Sequence, residues 1–234
     1  MDISIYFSKV PRCINDVMPG EKKYITCLSY YSYYLSLKAN IDYNEFDYIC
    51  IDGIFVQKLH NLVYRSHKTP RISVDMTSLV PLIFDYAINN NKSIYFLGAK
   101  EREVEQFVKI INLAFPKLII AGYRNGYFDS VQERLNILKN IIEIKPAIIF
   151  IGTGAPLQDQ IALELKHFGY EGTAYTCGGF IHQTQNSINY YPKIVDKLNL
   201  RLFYRFYKEK NILKKVFPSL FVFLYHYCKY LLRK

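Results

Sequence analysis

The sequence predicts an α/β architecture, a parallel sheet flanked by helices. Six short apolar runs alternate along the chain with amphipathic stretches of helical period. Most of the runs end on glycine or a polar residue, and the positive charge is gathered behind them in a C-terminal segment. Strands that alternate with helices favour a parallel sheet, because each crossover between parallel strands needs a connecting element long enough to span it. The 234 residues suffice for one ordinary core, or for one core and an appendage.

Taken in order, the expected strands are Tyr24–Leu28, Tyr48–Asp52, Ser93–Gly98, Leu118–Tyr123, Ala147–Gly152 and Thr173–Cys177. They are rich in Ile, Tyr and Phe, as buried strands are. The expected helices are Tyr30–Lys38, Gly53–Val63, Thr77–Asn89, Glu101–Ala114, Val131–Ile144 and Leu157–His167. The chain shows no internal repeat, linker or low-complexity segment. The resulting division is a Rossmann-like domain over residues 1–192 and a basic, amphipathic helical appendage over residues 193–234.

Composition narrows the class. With 22 Tyr and 16 Phe the chain is too aromatic for a disordered protein, and 11 Gly and 9 Pro exclude a collagenous or Gly/Ser-rich one. Five scattered cysteines with no CxxC pair argue against a disulfide scaffold or zinc ribbon and suit a reducing compartment. The opening MDISIYFSKVPRC carries an early acid and lacks the apolar core of a signal peptide. Val216–Cys228, the longest uncharged stretch near the end, has 13 residues where a bilayer span takes about 20. A cytoplasmic location is expected.

The formal charge of +10 is uneven: residues 1–192 hold 19 Lys/Arg against 18 Asp/Glu, and residues 193–234 hold 11 against 2. In the tail, aromatic residues interleave with cations, as in Arg201, Phe203, Tyr204, Arg205, Tyr207 and Lys208, then Lys214, Lys215, Phe217 and Phe221. Three readings fit: attachment to an anionic membrane surface, contact with nucleic-acid phosphates, or a helix packed on the domain with a solvated basic face. The Phe and Leu at the very end favour lipid over nucleic acid.

In a doubly wound sheet, ligands bind beyond the carboxyl ends of the strands. There the sequence places Asp52-Gly53, Gly98-Ala99-Lys100, Gly152-Thr153-Gly154-Ala155-Pro156 and Gly178-Gly179. Glycines there allow close approach to a ligand and open helix N-termini suited to phosphate. GTGAPL at 152–157 fails the dinucleotide fingerprint, since Leu157 stands at the third glycine position. Asp52, after the apolar run Tyr48–Ile51, is placed either as a general base or as a helix cap. Thr26 and Ser29 either bind a ligand or cap the helix at Tyr30. Arg71 either grips a phosphate or carboxylate or makes a surface salt bridge. His182 either serves a site beside Gly179 or is structural. No DxD pair, metal-ligand histidine spacing, GxSxG motif or activated cysteine is present, so no metal and no cofactor are expected.

Seven segments, taken together and in order, resemble the TagA/CpsF/WecG-type bacterial glycosyltransferases. They are Ile51-Asp52-Gly53, RISVDMTSLVP (71–81), YFLGAK (95–100), GYRNGYF (122–128), IFIGTGAPLQDQ (149–160), CGGFIH (177–182) and LRLFYRFYKE (200–209). The resemblance implies metal-independent, inverting transfer of a sugar from a UDP donor, an N-acetylhexosamine or its uronate being usual. The implied acceptor is a polyprenyl-diphosphate-linked saccharide at the cytosolic membrane face, for teichoic acid, capsule or a related glycan. Asp52 matches the family's proposed base and Thr26 a hydroxyl beside it. Arg71 and Gln158 match donor-side polar residues, and Gly152 and Gly154 a ligand-facing turn. Gly98, Gly179 and His182 fall around the same pocket. Arg205 and Lys215 match cations near the diphosphate, on an appendage that docks on membrane. The resemblance also suggests self-association.

Three departures surround the implied sugar pocket. Leu28 stands where the family often has Asn, His182 where it has Asp, and Asp159 where it has Glu. They imply a shifted donor or acceptor. The competing readings are a non-catalytic nucleotide- or nucleic-acid-binding protein with a phosphate-binding tail, and an inactive scaffold of a glycan-assembly complex.

Overall fold

The structure is a computed structural model that describes residues 2–66, 68–188, 195 and 212–233, with side chains of the last stretch from 217 onward. Six strands form one all-parallel sheet: β1 (Lys23–Leu28), β2 (Tyr48–Ile51), β3 (Ser93–Gly98), β4 (Ile119–Arg124), β5 (Ile148–Gly152) and β6 (Thr173–Thr176). Their spatial order is β2-β1-β6-β5-β3-β4. Every strand expected from the sequence is present within a residue or so of its expected bounds.

The strand order decides where the helices lie. The steps β1→β2, β4→β5 and β5→β6 run one way across the sheet, while β2→β3 and β3→β4 run the other. Because crossovers are right-handed, the two sets of connections place helices on opposite faces, apart from the helix directly after β2, whose Val56 joins the core of the first set. Accordingly α2 (Tyr30–Ser36), α6 (Val131–Ile144) and α7 (Leu157–His167) bury Tyr33, Leu138, Ile141, Ile161 and Leu165 in one core. On the other face α4 (Leu79–Asn89) and α5 (Glu101–Ala114) bury Ile83, Phe84, Val104 and Phe107. Across the second core Phe96, Phe150 and Tyr175, in register on β3, β5 and β6, stack at ring separations of 5.5 Å. Such offset stacks add about 0.5–1.5 kcal/mol per pair beyond burial.

Among the described residues, two short α-helices and two 3₁₀ helices, Ile14–Val17 and Tyr43–Glu45, were not among those expected. The first is α1 (Ile3–Ser8), whose N-cap Asp2 accepts a hydrogen bond from the Ser4 N–H at 2.8 Å. Six residues are too few to show a helical period in sequence. The second α-helix is α8 (Phe180–Thr184), which follows β6, while α3 (Ile54–Val63) is followed by an irregular segment held at Thr69. The helix expected from Thr77 begins at Leu79, because Thr77 N–H and hydroxyl both turn back to Asp75 Oδ1.

The last helix, α9 (Ile212–Leu231), packs across α1, α2 and α3. Its Phe223 is fully buried and meets Tyr33 edge-on at 5.4 Å. The Tyr227 hydroxyl donates to Leu59 O at 3.1 Å, and the Tyr33 hydroxyl lies 2.9 Å from His226 Nδ1. The opposite face is apolar as well: Phe217, Phe221 and Tyr225, spaced i, i+4, i+8, are 55, 68 and 65% exposed. The tail helix is thus packed on the body, yet its outer face is aromatic. Among the described residues no helix is long and apolar enough to cross a membrane. The division expected between residues 192 and 193 falls outside the described residues.

Candidate active site

Connections from β3 and β5 leave the sheet in opposite directions, so the crevice of this fold opens at their carboxyl ends. Gly98 and Gly152 are register partners there. A Cβ on Gly98 would stand 2.6 Å from the Gly152 carbonyl, and Gly98 has φ +154°, so this position excludes a side chain on two counts. Gly154, in the turn that follows, has φ +84° and open space around it. Between them the Thr153 hydroxyl is shielded from solvent and has no hydrogen-bond partner among the described residues. A buried polar atom without a partner is rare and marks a place where something else can bind. Sequence reasoning named the two glycines and passed over Thr153.

The turn leads into α7, whose N-cap, Pro156, makes no side-chain capping bond. The first turn of α7 carries one acid, the buried Asp159, and its Gln158 and Asp159 N–H groups donate to Gly154 O at 2.9 Å and Pro156 O at 3.1 Å. The N-terminus of α5 carries acids too. Glu103 accepts from the Lys100 N–H at 3.0 Å, and Glu101 lies in the same turn, so its dipole is already answered by acids. His182 Nδ1 lies 3.1 Å from Glu103 Oε1, which joins α8 to α5. Burial pushes the Glu103 carboxyl up, but the Lys100 N–H and His182 outweigh it and hold it below its ordinary value. His182 thus engages a carboxylate, with its side chain 61% exposed. Gly179 is the N-cap of α8.

Gln158 is buried and accepts a hydrogen bond from the Gly178 N–H at 3.0 Å, so it ties the turn after β5 to the turn after β6. Thr26, midway along β1, is fully buried. Its hydroxyl donates to Asp159 Oδ1 at 2.5 Å and lies 2.8 Å from the Thr176 hydroxyl. Tyr43 also donates to Asp159, at 3.0 Å. Thr26 therefore faces protein on the residues described, and its partner Asp159 is the larger omission of sequence reading, which noted that residue only as a departure. Ser29 is the cap of α2, accepting from the Ser32 N–H at 3.2 Å.

Asp52 occupies the position directly after β2 and is exposed. Its N–H donates to Leu28 O at 3.0 Å, which holds the ends of β1 and β2 together. Gly53, not Asp52, is the N-cap of α3. Three strand steps, about 14 Å at the usual spacing, separate β2 from β5. The crevice thus runs from the glycine pair to a carboxylate further along the same edge of the sheet. Arg71 is half-buried in the irregular segment after α3 and has no ion-pair partner among the described residues. Arg205 and the side chain of Lys215 lie outside the described residues.

Burial pushes the Asp159 carboxyl from 3.8 up to about 6, against the pull of its bonds from Thr26 and Tyr43. A raised carboxyl favours the folded state fully below the unfolded value near 3.9, and this advantage is lost as pH rises through about 6. Above that the buried charge costs about 3 kcal/mol. Asp159→Asn is therefore expected to melt higher than the wild-type protein at pH 7.5, with the gap closing as pH falls through 6 toward 4. A gap that does not change with pH contradicts this.

The sequence model of the glycosyl transferase WecG/TagA/CpsF family matches residues 8–234. A UDP-Gal:alpha-D-GlcNAc-diphosphoundecaprenol beta-1,4-galactosyltransferase of Shigella boydii is 35% identical over 193 residues, which are 82% of this chain and 80% of that protein. An N-acetylglucosaminyldiphosphoundecaprenol N-acetyl-beta-D-mannosaminyltransferase of Bacillus subtilis is 29% identical over 51% of this chain and 45% of its own. A protein of the same name from Staphylococcus aureus strain MW2 is 25% identical over 80% of this chain and 70% of its own.

Proposed function

The chain belongs to the WecG/TagA/CpsF family of glycosyl transferases, and we propose that it moves a hexose from a UDP donor to a polyprenyl-diphosphate-linked saccharide, with inversion at the transferred carbon. The observation that carries this reading is the match of the family over nearly the whole chain, crevice and tail included. The named relatives use a GlcNAc-diphosphoundecaprenol acceptor and make β linkages. From an α-linked nucleotide sugar a β product means inversion, which one in-line displacement delivers. The readings as a non-catalytic binding protein or an inactive scaffold are not favoured, since the relatives are named transferases.

In this reading Asp52 takes the proton from the acceptor hydroxyl as its oxygen attacks the anomeric carbon. The bond from that carbon to the UDP oxygen breaks, and its electron pair leaves on the diphosphate. Arg71 and cations of the appendage, Arg205 and Lys215 among them, balance the charge that develops. Gly98 and Gly152 let the ends of β3, β5 and the turn after β6 pack closely beneath the donor, Gly154 with open space around it lets the donor approach the backbone, and Thr153 offers it a hydroxyl. Gly179 and His182 border the same edge. The aromatic outer face of α9, with Lys229 and Arg233 at its end, suits the surface of an anionic membrane, where a lipid-linked acceptor resides. Residues 193–234 then form the appendage that keeps the enzyme at the inner face of the cell membrane.

The test is a thermal-shift comparison of UDP, UDP-galactose and UDP-N-acetylmannosamine, each with and without EDTA. A saturating ligand at a hundred times its Kd adds about 2.7 kcal/mol, or a shift of about 5–10 °C for a protein of this size. A shift that survives EDTA is expected. Folded protein that no UDP compound stabilises contradicts the reading.

A further inference from the structure

The polar cluster around Asp159 is unusual for its place. A fully buried carboxylate faces no cation among the described residues; the groups that act on it are the Thr26 hydroxyl on β1 and the Tyr43 hydroxyl in the turn before β2. Burial keeps the Tyr43 phenol protonated, its pKa pushed far up, with the Asp159 charge adding to the effect. Hydrogen-bond accounting fixes the direction of the chain. Thr26 has one hydroxyl proton and gives it to Asp159, so the Thr176 hydroxyl at 2.8 Å must donate to Thr26. Thr176 in turn accepts from the Cys27 N–H at 3.1 Å. Every proton in the chain points toward Asp159.

We propose that Thr26 and Asp159 are a positioning pair, which locks the two donor-facing turns of the crevice, Gly152–Gln158 and Gly178–Gly179, to strand β1. Asp159 lies in the first turn of α7, directly after Gln158, whose side chain holds the Gly178 N–H. Thr26 sits two residues before Leu28, whose carbonyl accepts from the Asp52 N–H. One short path therefore joins both glycine turns to the strand pair that carries Asp52. Thr26 acts through Asp159 and does not contact the donor, because its hydroxyl already gives and receives within the protein. This rests on the proposed binding of a UDP donor at the crevice.

The experiment compares Thr26→Val, Thr26→Ser and Tyr43→Phe with the wild-type protein, by donor kinetics and by amide hydrogen exchange without ligand. Thr26→Val keeps the volume and loses the hydroxyl; it is expected to raise donor KM about tenfold or more, with kcat changed far less. It should speed exchange across 152–158 and 177–180, while the strands stay protected. Thr26→Ser restores the hydroxyl and should return both readouts close to wild type, which a purely volumetric role would not do. Tyr43→Phe removes the second donor to Asp159 and should move both in the same direction as Thr26→Val, and it serves if Thr26→Val does not fold. Unchanged exchange in the two turns overturns the inference, as does a fall in kcat with donor KM unchanged, which would assign Thr26 to the reaction itself. Wild-type protein that binds no UDP overturns the donor reading, and the exchange data then decide the positioning of the turns on their own.

Discussion

Asp52→Asn is expected to lower kcat by about 10²–10⁴-fold while UDP affinity stays within a few-fold, because the substitution removes a proton acceptor and keeps the size and polarity of the side chain. The carboxylate sits at the carboxyl edge of the sheet, exposed, and about three strand steps from the glycine pair that marks the switch point. That separation fits a donor lying along the edge, with its nucleotide end near β3 and β5 and its sugar toward β2. Gly53 fills the N-cap position of α3, and a circular-dichroism spectrum of Asp52→Asn like that of the wild-type protein would separate loss of activity from loss of helix. Equal kcat in the variant and the wild-type protein would remove Asp52 as the base. A large loss of UDP affinity with kcat kept would instead make it a binding residue.

The second large effect divides the two faces of one helix. Phe223→Ala opens a cavity where α9 meets Tyr33 of α2, beside Tyr227 one turn further along α9, and a cost of about 3–5 kcal/mol is expected. On the outer face, Phe221→Asp combined with Tyr225→Asp touches exposed side chains and should change the melting temperature little. The same double variant should weaken binding to vesicles containing anionic lipid by about a hundredfold, since each apolar side chain sunk in the interface contributes about 1.5 kcal/mol or more. Sedimentation with vesicles separates the two outcomes from unfolding. Undiminished vesicle binding by the double variant would contradict attachment through α9.

The strands were legible because each is a run of Ile, Tyr, Phe or Val closed by a polar or small residue, and the helices because their apolar residues recur at helical spacing. Strand order was not legible. Gly98 and Gly152 stand out singly in the sequence as strand-end glycines, but that they lie side by side, too close for a Cβ, follows only from β3 pairing with β5. Thr26 read as a ligand hydroxyl because its partner Asp159 is 133 residues away, and nothing local announces that a carboxylate will be buried beneath it. Asp52 read as base or cap and Ser29 as ligand or cap; the backbone makes Ser29 the N-cap of α2 and Gly53 the N-cap of α3, positions that local sequence leaves open by one residue. The tail's cations were plain from counting. Which of its aromatics turn inward depends on the docking of α9 against α1, α2 and α3, a contact between the two ends of the chain.

The most direct test is a transfer assay with purified protein, a short-chain polyprenyl-diphosphate GlcNAc acceptor, and UDP-galactose or UDP-N-acetylmannosamine, run in EDTA. One hexose added to the acceptor for each UDP released, in a β linkage, is the result this account predicts. Folded protein that binds the acceptor and UDP yet lengthens no glycan with either donor or with other UDP-hexoses would contradict it.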